Sequence, residues 1–391
     1  MGVFSMLFAG IIYAWSILKA PLGAEFGWGV EELALNFTLT MCSFCLGGLL
    51  GSQLAKRFGT KITVVCAGIF AGLGLALTGT IRTDAVILLY LFYAVMAGLG
   101  IGVVYNVIIS SVSAWFPDKK GFSSGCLMMG FGASTLILGN LASAMFSLEG
   151  IGWRTTYIIF GIVIGAALVV TGLVLRRPSA EDSLPEAKGS SKAVEDFEPR
   201  DYTPKEMLSR FSFWRAILSL VCLTAVGSSV ISFAKDLSIS VGAPDKLATT
   251  LVGVLAVCNG LGRIITGKSF DTLGRKKTML IANVLTIFAA GVTLIAVYIN
   301  SLALCIIGLC LVGMSYGSSP TVSSAFTSAF YGKEHFPTNF SIMNFNLIGA
   351  SFIATAASSL LTSSGGYTLP FVLLLALAFV SLGLTLSLKR P

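Results

Sequence analysis

The residue in this sequence with the clearest potential for binding chemistry is an arginine inside an apolar stretch. Arg263 is the only charged residue of residues 249–267, which read TTLVGVLAVCNGLGRIITG. A guanidinium stays protonated in proteins, so it cannot adapt to burial by losing its proton. An ionisable residue inside a membrane span is costly and marks a functional site. A fixed positive charge at this depth therefore predicts an anionic ligand.

Two alternatives stay open for this region. Lys268 follows Arg263 by five residues, about 7.5 Å along a helix, so the arginine side chain could instead extend to the membrane surface. Asn259 precedes Arg263 by four residues, which puts both side chains on one helix face. Asn259 is therefore a candidate to orient the guanidinium or to contact the ligand, and a hydrogen bond to a neighbouring helix is an equal alternative.

The segments that must position Arg263 are hydrophobic helices. Hydrophobic residues make up 55% of the 391 residues and charged residues 11%, whereas a soluble protein carries about 25% charged residues. The apolar runs are about 20 residues long and can cross a ~30 Å hydrocarbon layer; a transmembrane barrel would show short alternating segments. We predict an all-α membrane protein with twelve transmembrane helices, at residues 2–20, 33–54, 62–80, 86–114, 122–147, 153–175, 213–234, 247–267, 278–298, 301–330, 338–361 and 368–388.

Charge, cysteines and histidine exclude several classes of function. The net charge of +8 reflects membrane topology rather than a nucleic-acid partner. All eight cysteines fall in apolar runs, so we interpret them as packing residues and expect neither a metal site nor a cofactor. The only histidine, His335, lies in a polar loop. An enzyme in the membrane would need convergent His, Asp, Glu or Cys groups at membrane depth, so we predict that the protein is not an enzyme.

The chain divides into two sets of six spans. Residues 1–175 are the predicted N-terminal six-helix bundle and residues 213–391 the C-terminal one. Residues 176–212 are polar and rich in Pro and Ser, which predicts a cytoplasmic linker with a short helix near residues 204–209. Twenty of the 26 Lys and Arg residues fall on the linker side, five on the other, and Arg263 lies in a span. We therefore predict a multi-pass protein of the plasma membrane (the bacterial inner membrane) with both termini in the cytoplasm.

The two sets of spans carry an internal repeat. Residues 52–61 read SQLAKRFGTK and residues 267–276 read GKSFDTLGRK, at an offset of 215. A second pair, FPDK at 116–119 and FYGK at 330–333, recurs at an offset of 214. Such repeats predict two pseudo-symmetric halves with a site between them near the midplane, exposed alternately to the two sides. We expect Arg263 to face a central aqueous chamber there.

The second copy of this repeat resembles the loop signature of the major facilitator superfamily. Its characteristic residues are Gly267, Asp271, Gly274, Arg275 and Lys276. The first copy departs from the signature, since it has Lys in place of the Asp and Ser in place of the first Gly. The resemblance implies the major facilitator fold and says nothing about the substrate.

A more specific resemblance covers nearly the whole chain. Residues 11–22, 98–125, 201–214, 259–263 and 315–343 are similar, in this order, to motifs of the oxalate:formate antiporter family, which is related to the monocarboxylate transporters. The resemblance implies a secondary transporter that exchanges small carboxylates or moves them together with protons. Arg263 matches the arginine of the family's eighth span, which binds the substrate carboxylate. The tyrosines that match its cavity aromatics are Tyr13, Tyr105 and Tyr316, with core packing as the alternative.

One family feature is missing. The oxalate-specific members have a lysine in the eleventh span, whereas residues 339–361 contain neither Lys nor Arg and place Leu347 near that position. One fixed charge balances one carboxylate better than two, because uncompensated charge is expensive at low dielectric. Asn344 and Asn346 are candidates for neutral hydrogen bonds to the substrate, and packing is an equal alternative for both.

These observations predict a secondary transporter of small organic anions, with monocarboxylates of the lactate, pyruvate and formate type favoured. An oxalate-type dicarboxylate exchanger is the alternative, and a nutrient sensor on a transporter fold is the rival from another class. The predicted partners are the carboxylate substrate and the lipid bilayer, with a coupled proton left open. We expect the protein to be a monomer.

Overall fold

The protein is a bundle of long helices. A computed structural model describes residues 1–116, 120–178 and 200–388, and these residues are helical apart from connecting turns. Twelve segments of this described part are long and apolar enough to cross a membrane, which confirms the predicted number. Numbered spans 1 to 12, they are Gly2–Phe26, Val30–Phe58, Thr60–Thr78, Val86–Trp115, Phe122–Phe146, Gly152–Val174, Phe211–Ser240, Asp245–Leu273, Arg275–Tyr298, Leu302–Tyr331, Phe336–Ser364 and Thr368–Leu386.

The spans form two six-helix halves, the N half (spans 1–6) and the C half (spans 7–12). In the N half span 3 packs along span 6 and span 2 along span 4; in the C half span 8 packs along span 10 and span 7 along spans 11 and 12. The halves meet mainly where span 5 contacts span 8 and where span 2 contacts span 11. We call the end of the bundle that carries the linker the linker side and the opposite end the distal side.

Glycine contacts repeat between the halves at the offset found in the sequence. A Cβ at Gly102 in span 4 would lie 2.0 Å from the Phe44 carbonyl oxygen in span 2. A Cβ at Gly317 in span 10 would lie 2.1 Å from the Asn259 carbonyl oxygen in span 8. Both members of the second pair follow those of the first by 215 residues. Because only glycine permits this approach of two helices, the repeat fixes the same packing in both halves.

Spans 7 and 8 are longer than predicted. Span 7 ends at Ser240, whereas the predicted span ended at residue 234. The prediction stopped there because Lys235 and Asp236 lower the local hydropathy, but the helix continues through them. Span 8 continues to Leu273, so Gly267 and Asp271 belong to the last helical turns and not to a loop. A helix can extend beyond the membrane through charged residues with its backbone hydrogen bonds intact. Hydropathy marks only the apolar part of such a helix.

Five spans depart from a regular α-helix in the part of the chain that the structure describes. Span 1 contains a 3₁₀ segment, Gly10–Ala14, while spans 4 and 5 contain π segments, Tyr90–Ala97 and Thr135–Gly139. Span 7 kinks at Phe233 (φ −131°, ψ 17°), and span 11 is interrupted between Met343 and Asn346. Spans 1 and 7 correspond to each other, as do spans 5 and 11. Interrupted helices in corresponding positions of two halves are typical of transporter binding sites.

The linker is described only at its two ends. Residues 179–199 lie outside the described residues, as do 117–119 and 389–391. The predicted domain boundaries and the orientation, which depends partly on cations in these segments, therefore stay predictions. The predicted short helix is confirmed at Pro204–Leu208, where Thr203 caps the helix by accepting a hydrogen bond from the backbone N–H of Glu206. The Glu206 carboxylate accepts one in return from the Thr203 N–H.

Candidate functional site

Arg263 lies in span 8 at the contact between the two halves. Its side chain is 1% exposed, so it does not extend to the membrane surface. The Nε group donates a hydrogen bond to Asn259 Oδ1 over 3.0 Å, and Nη1 donates one to the carbonyl oxygen of Met128 in span 5 over 2.5 Å. Nη2 is buried and has no hydrogen-bond partner among the described residues. The guanidinium thus joins the halves and keeps one nitrogen available.

The local sequence explains this position. Asn259 is one helical turn before Arg263, and its carboxamide oxygen fixes the plane of the guanidinium. Gly125 on span 5 lets span 8 approach, since a Cβ there would lie 3.0 Å from the Arg263 carbonyl oxygen. A larger residue at position 125 would press against span 8 beside the arginine.

The charge of Arg263 has no acidic counterpart in the part of the chain that the structure describes. The salt bridges there join Glu25 to Arg154, Arg200 to Glu206 and Lys235 to Asp245, at the ends of spans or in the linker. A buried cation without an anion is unfavourable unless a ligand supplies the negative charge. The arrangement is therefore suited to anion binding.

The three predicted tyrosines gather beside Arg263. The Tyr316 hydroxyl donates a hydrogen bond to the Tyr13 hydroxyl over 3.0 Å, across the two halves. The Phe131 ring of span 5 lies 5.1 Å, between ring centroids, from both Tyr13 and Tyr105. All three phenols interact electrostatically with the guanidinium. Phenol groups can donate hydrogen bonds to a carboxylate while their rings shape a pocket.

Sequence reasoning missed three contributors to this site. Phe131 packs against both Tyr13 and Tyr105, Phe44 packs 5.0 Å from Tyr105, and Met128 contributes its backbone carbonyl. A signal for Phe44 existed, since it precedes Asn259 by the repeat offset of 215 residues. Nothing in the sequence marks the Met128 carbonyl, because every residue carries one.

The space at the site is small in this conformation. A cavity of about 10 Å³, close to the room that one water molecule needs, is lined by Tyr13, Asn259 and Thr135 together with residues of spans 7 and 8. The aqueous chamber expected from the sequence is thus nearly closed beside Arg263. A substrate can occupy it only after the halves move apart.

Asn344 and Asn346 lie at the interruption of span 11 and make hydrogen bonds within the C half. Asn344 Oδ1 accepts from the Ser323 hydroxyl over 3.4 Å, and Asn346 Oδ1 accepts from the Thr224 hydroxyl over 3.1 Å. These carboxamide bonds do not involve Arg263. The structure therefore does not bring the two asparagines into the Arg263 group as it does the tyrosines.

The loop signature lies at the linker side. Gly274 connects spans 8 and 9 with φ 76°, and Gly59, its counterpart 215 residues earlier, has φ 82°. The Arg275 guanidinium carbon lies 4.0 Å from the Phe330 ring centroid, whereas Lys276 is exposed. These residues turn the chain and contact neighbouring helices, away from the tyrosines.

A bundle of twelve spans in two similar halves, with a polar site between them, is the architecture of a secondary transporter. The family model of the Major Facilitator Superfamily matches residues 1–345 and 217–391. The chain belongs to this superfamily and is a multi-pass membrane transport protein.

Two related proteins and one solved structure show what the chain is similar to. An uncharacterized MFS-type transporter of Escherichia coli K12, YhjX, is 28% identical over 337 residues, covering 85% of this chain and 80% of that protein. The oxalate:formate antiporter of Oxalobacter formigenes is 23% identical over 382 residues, covering 97% and 87%. The solved structure of the proton:xylose symporter XylE superimposes with a TM-score of 0.68 at 12% identity, covering 100% and 95%. The predicted resemblance and fold are thereby confirmed, and these relatives are transporters rather than enzymes.

Proposed function

We propose that the protein transports small monocarboxylates such as lactate, pyruvate or formate by alternating access. One observation carries the proposal: the Arg263 guanidinium is buried between the halves, without an acidic partner among the described residues and with Nη2 unbonded there. A carboxylate neutralises a guanidinium and accepts two of its hydrogen bonds at once. The similarity to an oxalate:formate antiporter supports the same substrate class.

Neutralisation explains how substrate and conformation are coupled. The bond from Arg263 to the Met128 carbonyl connects span 8 to span 5, so this contact must change when the halves separate. A carboxylate that takes over Nη1 and Nη2 replaces the contact and removes the uncompensated charge. The occupied site can then close again at low energy. The Tyr13 hydroxyl accepts from Tyr316 and keeps its own proton, so it can donate a hydrogen bond to the bound carboxylate.

The number of charges favours a monocarboxylate over a dicarboxylate. Span 11 offers no Lys or Arg, and Leu347, near the position of the family lysine, is a buried apolar residue. The carboxamide oxygens of Asn344 and Asn346 accept hydrogen bonds within the C half, and Asn346 Nδ2 donates one to the Met343 carbonyl. A second carboxylate of oxalate would therefore enter the site without a cation.

Counterflow in proteoliposomes tests the substrate class. Vesicles loaded with unlabelled lactate, pyruvate, acetate, formate or oxalate are diluted into the labelled acid, with and without a pH gradient. We expect accumulation with monocarboxylates and little with oxalate. Preferred counterflow of oxalate would establish the dicarboxylate alternative, and binding without any flux would favour a sensor. A response to the pH gradient would identify coupling to protons.

Variants of Arg263 test the site. Arg263→Ala should reduce transport by about 100-fold or more, because charge-assisted hydrogen bonds contribute about 1.5–3 kcal/mol each. Arg263→Lys should also be poor, since an ammonium cannot form the paired hydrogen bonds. Lys268→Ala, which removes an exposed charge from the same helix, is the matched control. Normal uptake by folded Arg263→Ala protein would refute the role.

We infer in addition that both termini and the linker face the cytoplasm, which the excess of Lys and Arg on the linker side supports. Labelling of a single cysteine introduced at exposed Lys276 by an impermeant maleimide tests the orientation. Labelling from outside intact cells would reverse it.

A further inference from the structure

A second, larger cavity opens between the halves on the distal side. This cleft has a volume of about 310 Å³, within the ~300–1,000 Å³ of small-molecule sites. Spans 1 and 2 of the N half and spans 7 and 11 of the C half contribute to it, and its polar or aromatic walls include Trp15, Lys19, Ser232, Asp236 and Tyr367. Lys19 is the only lysine or arginine among its lining residues.

Lys19 crosses from one half to the other. The side chain is half-buried, and its Nζ donates a hydrogen bond to the carbonyl oxygen of Ser232 in span 7 over 3.3 Å. An ammonium has three donors, so this long bond leaves capacity for an anion. Asp236, an exposed residue of the same cleft, interacts electrostatically with Lys19, but the two form no salt bridge in the described residues.

The kink of span 7 explains why a carbonyl oxygen faces Lys19. The backbone of Phe233 has non-helical dihedral angles, and the Ser232 carbonyl directly precedes it at the kink. The Ser229 carbonyl accepts from the Ser232 hydroxyl over 2.7 Å, and the Ser232 carbonyl accepts from Lys19. Lys19 thus holds span 1 to the kink of span 7.

The same segment of span 7 separates the cleft from Arg263. Ser232 and Phe233 line the cleft, whereas Ile231 and Ala234 line the small cavity beside Asn259. A change of the kink would therefore connect the two cavities.

We propose that this cleft is an antechamber in which Lys19 binds the carboxylate of the substrate before it reaches Arg263. The bound anion competes with the Ser232 carbonyl for the ammonium, which releases span 1 from span 7 and opens the way inward. Asp236 opposes anion binding, because its negative charge lies at the same cleft. The inference rests on the proposed function, since it takes the substrate to be a small carboxylate.

Transport kinetics with three variants test the antechamber. Lys19→Gln should raise the KM for the monocarboxylate by about tenfold, because the cleft loses the one lysine among its lining residues. Asp236→Asn should lower the KM, an effect that misfolding cannot produce. Lys235→Gln is the matched control, because Lys235 pairs with Asp245 over 2.8 Å and is not part of the cleft wall. Its KM should stay unchanged.

Salt gives an independent measurement. The KM of the unchanged protein should rise with ionic strength, and that of Lys19→Gln should rise less, because screening acts on the charge that the variant has lost. Equal KM values for Lys19→Gln and Lys235→Gln would overturn the antechamber. This result differs from failure of the proposed function, in which the unchanged protein shows no carboxylate counterflow or Arg263→Ala keeps it.

Discussion

In the N half Gly102 of span 4 packs against the Phe44 carbonyl of span 2, and in the C half Gly317 of span 10 packs against the Asn259 carbonyl of span 8. The two contacts are related by 215 residues and are nearly identical in distance. The side chains that they position differ. Phe44 packs on Tyr105 in an aromatic wall, whereas Asn259 accepts a hydrogen bond from a guanidinium.

The surfaces through which the halves meet also differ in the side chains that they carry. Gly48 of span 2 is the counterpart of Arg263, and its carbonyl oxygen accepts a hydrogen bond from the Ser341 hydroxyl of span 11 over 3.0 Å. At the corresponding contact of spans 8 and 5, the charged Arg263 donates to the Met128 carbonyl. The backbone packing is thus duplicated, while the charge is present in one copy. Packing depends on small residues, and ligand choice depends on the side chains between them.

The largest effect is expected when the charge of the C half is cancelled. Asn259→Asp places a carboxylate at an oxygen that lies 3.0 Å from Arg263 Nε, so the guanidinium gains an internal partner. Transport should fall by about 100-fold or more while the protein folds, because the substrate must compete with that partner. Proteoliposome flux and the elution profile in detergent measure the two quantities.

Phe44→Leu, at the counterpart position of the N half, is the control for this variant. It removes one aromatic contact and no charge, so transport should fall by less than about tenfold. If both variants lost activity equally, the asymmetry of charge would not decide binding.

An intermediate effect is expected from the glycine contacts. Gly102→Ala and Gly317→Ala each place a Cβ on a backbone oxygen, so each should lower the free energy of unfolding by about 1–3 kcal/mol. Gly317→Ala displaces Asn259 and Gly102→Ala displaces Phe44, so the KM should rise more in Gly317→Ala than in Gly102→Ala. Thermal unfolding in detergent and flux measurements separate the effects. An equal rise of the KM in both variants would contradict the division of roles between the halves.

The smallest effect concerns the two ends of the linker. At its start, the Trp115 indole of the N half donates to the Arg176 carbonyl over 2.9 Å. At its end, the Asp201 carboxylate accepts from the backbone N–H groups of Lys333 and Glu334 over 2.6 and 3.0 Å. The hydrogen bond from the Glu334 N–H, and to a smaller extent that from Lys333, holds the pKa of Asp201 below its usual value. The contact between Asp201 and the C half should therefore weaken in acid.

The sign of the response follows from the lowered pKa of Asp201. The contact of the Asp201 carboxylate with the two backbone N–H groups is at full strength above the ordinary aspartate pKa of about 3.9. It is lost as the pH falls through the lowered pKa. Hydrogen exchange of the Lys333 and Glu334 amides should therefore stay slow between about pH 5 and 7 and quicken, relative to intrinsic rates, below about pH 4. Asp201→Asn keeps an acceptor oxygen and should abolish this pH dependence. An unchanged profile in that variant would assign the transition to another group.

How much of the fold was predictable depends on the range of the interactions. Twelve spans and two related halves follow from hydropathy and from the repeat, which are local properties of the chain. The interruptions at Gly10–Ala14, Phe233 and Asn344 were not predicted, because hydropathy does not distinguish a regular helix from an interrupted one and contacts between helices are not local. At Gly10, for example, a Cβ would lie 2.0 Å from the Phe131 carbonyl oxygen of span 5.

The sequence by itself determined that a fixed positive charge stands inside a membrane span, because one arginine among apolar residues is visible without any contact. Tertiary structure decided what that charge meets. Arg263 reaches a carbonyl 135 residues away, three tyrosines from three spans gather beside it, and Lys19 bridges to Ser232 across 213 residues. Such partners depend on how helices rotate and approach each other, which the packing of the whole bundle fixes and no single segment encodes.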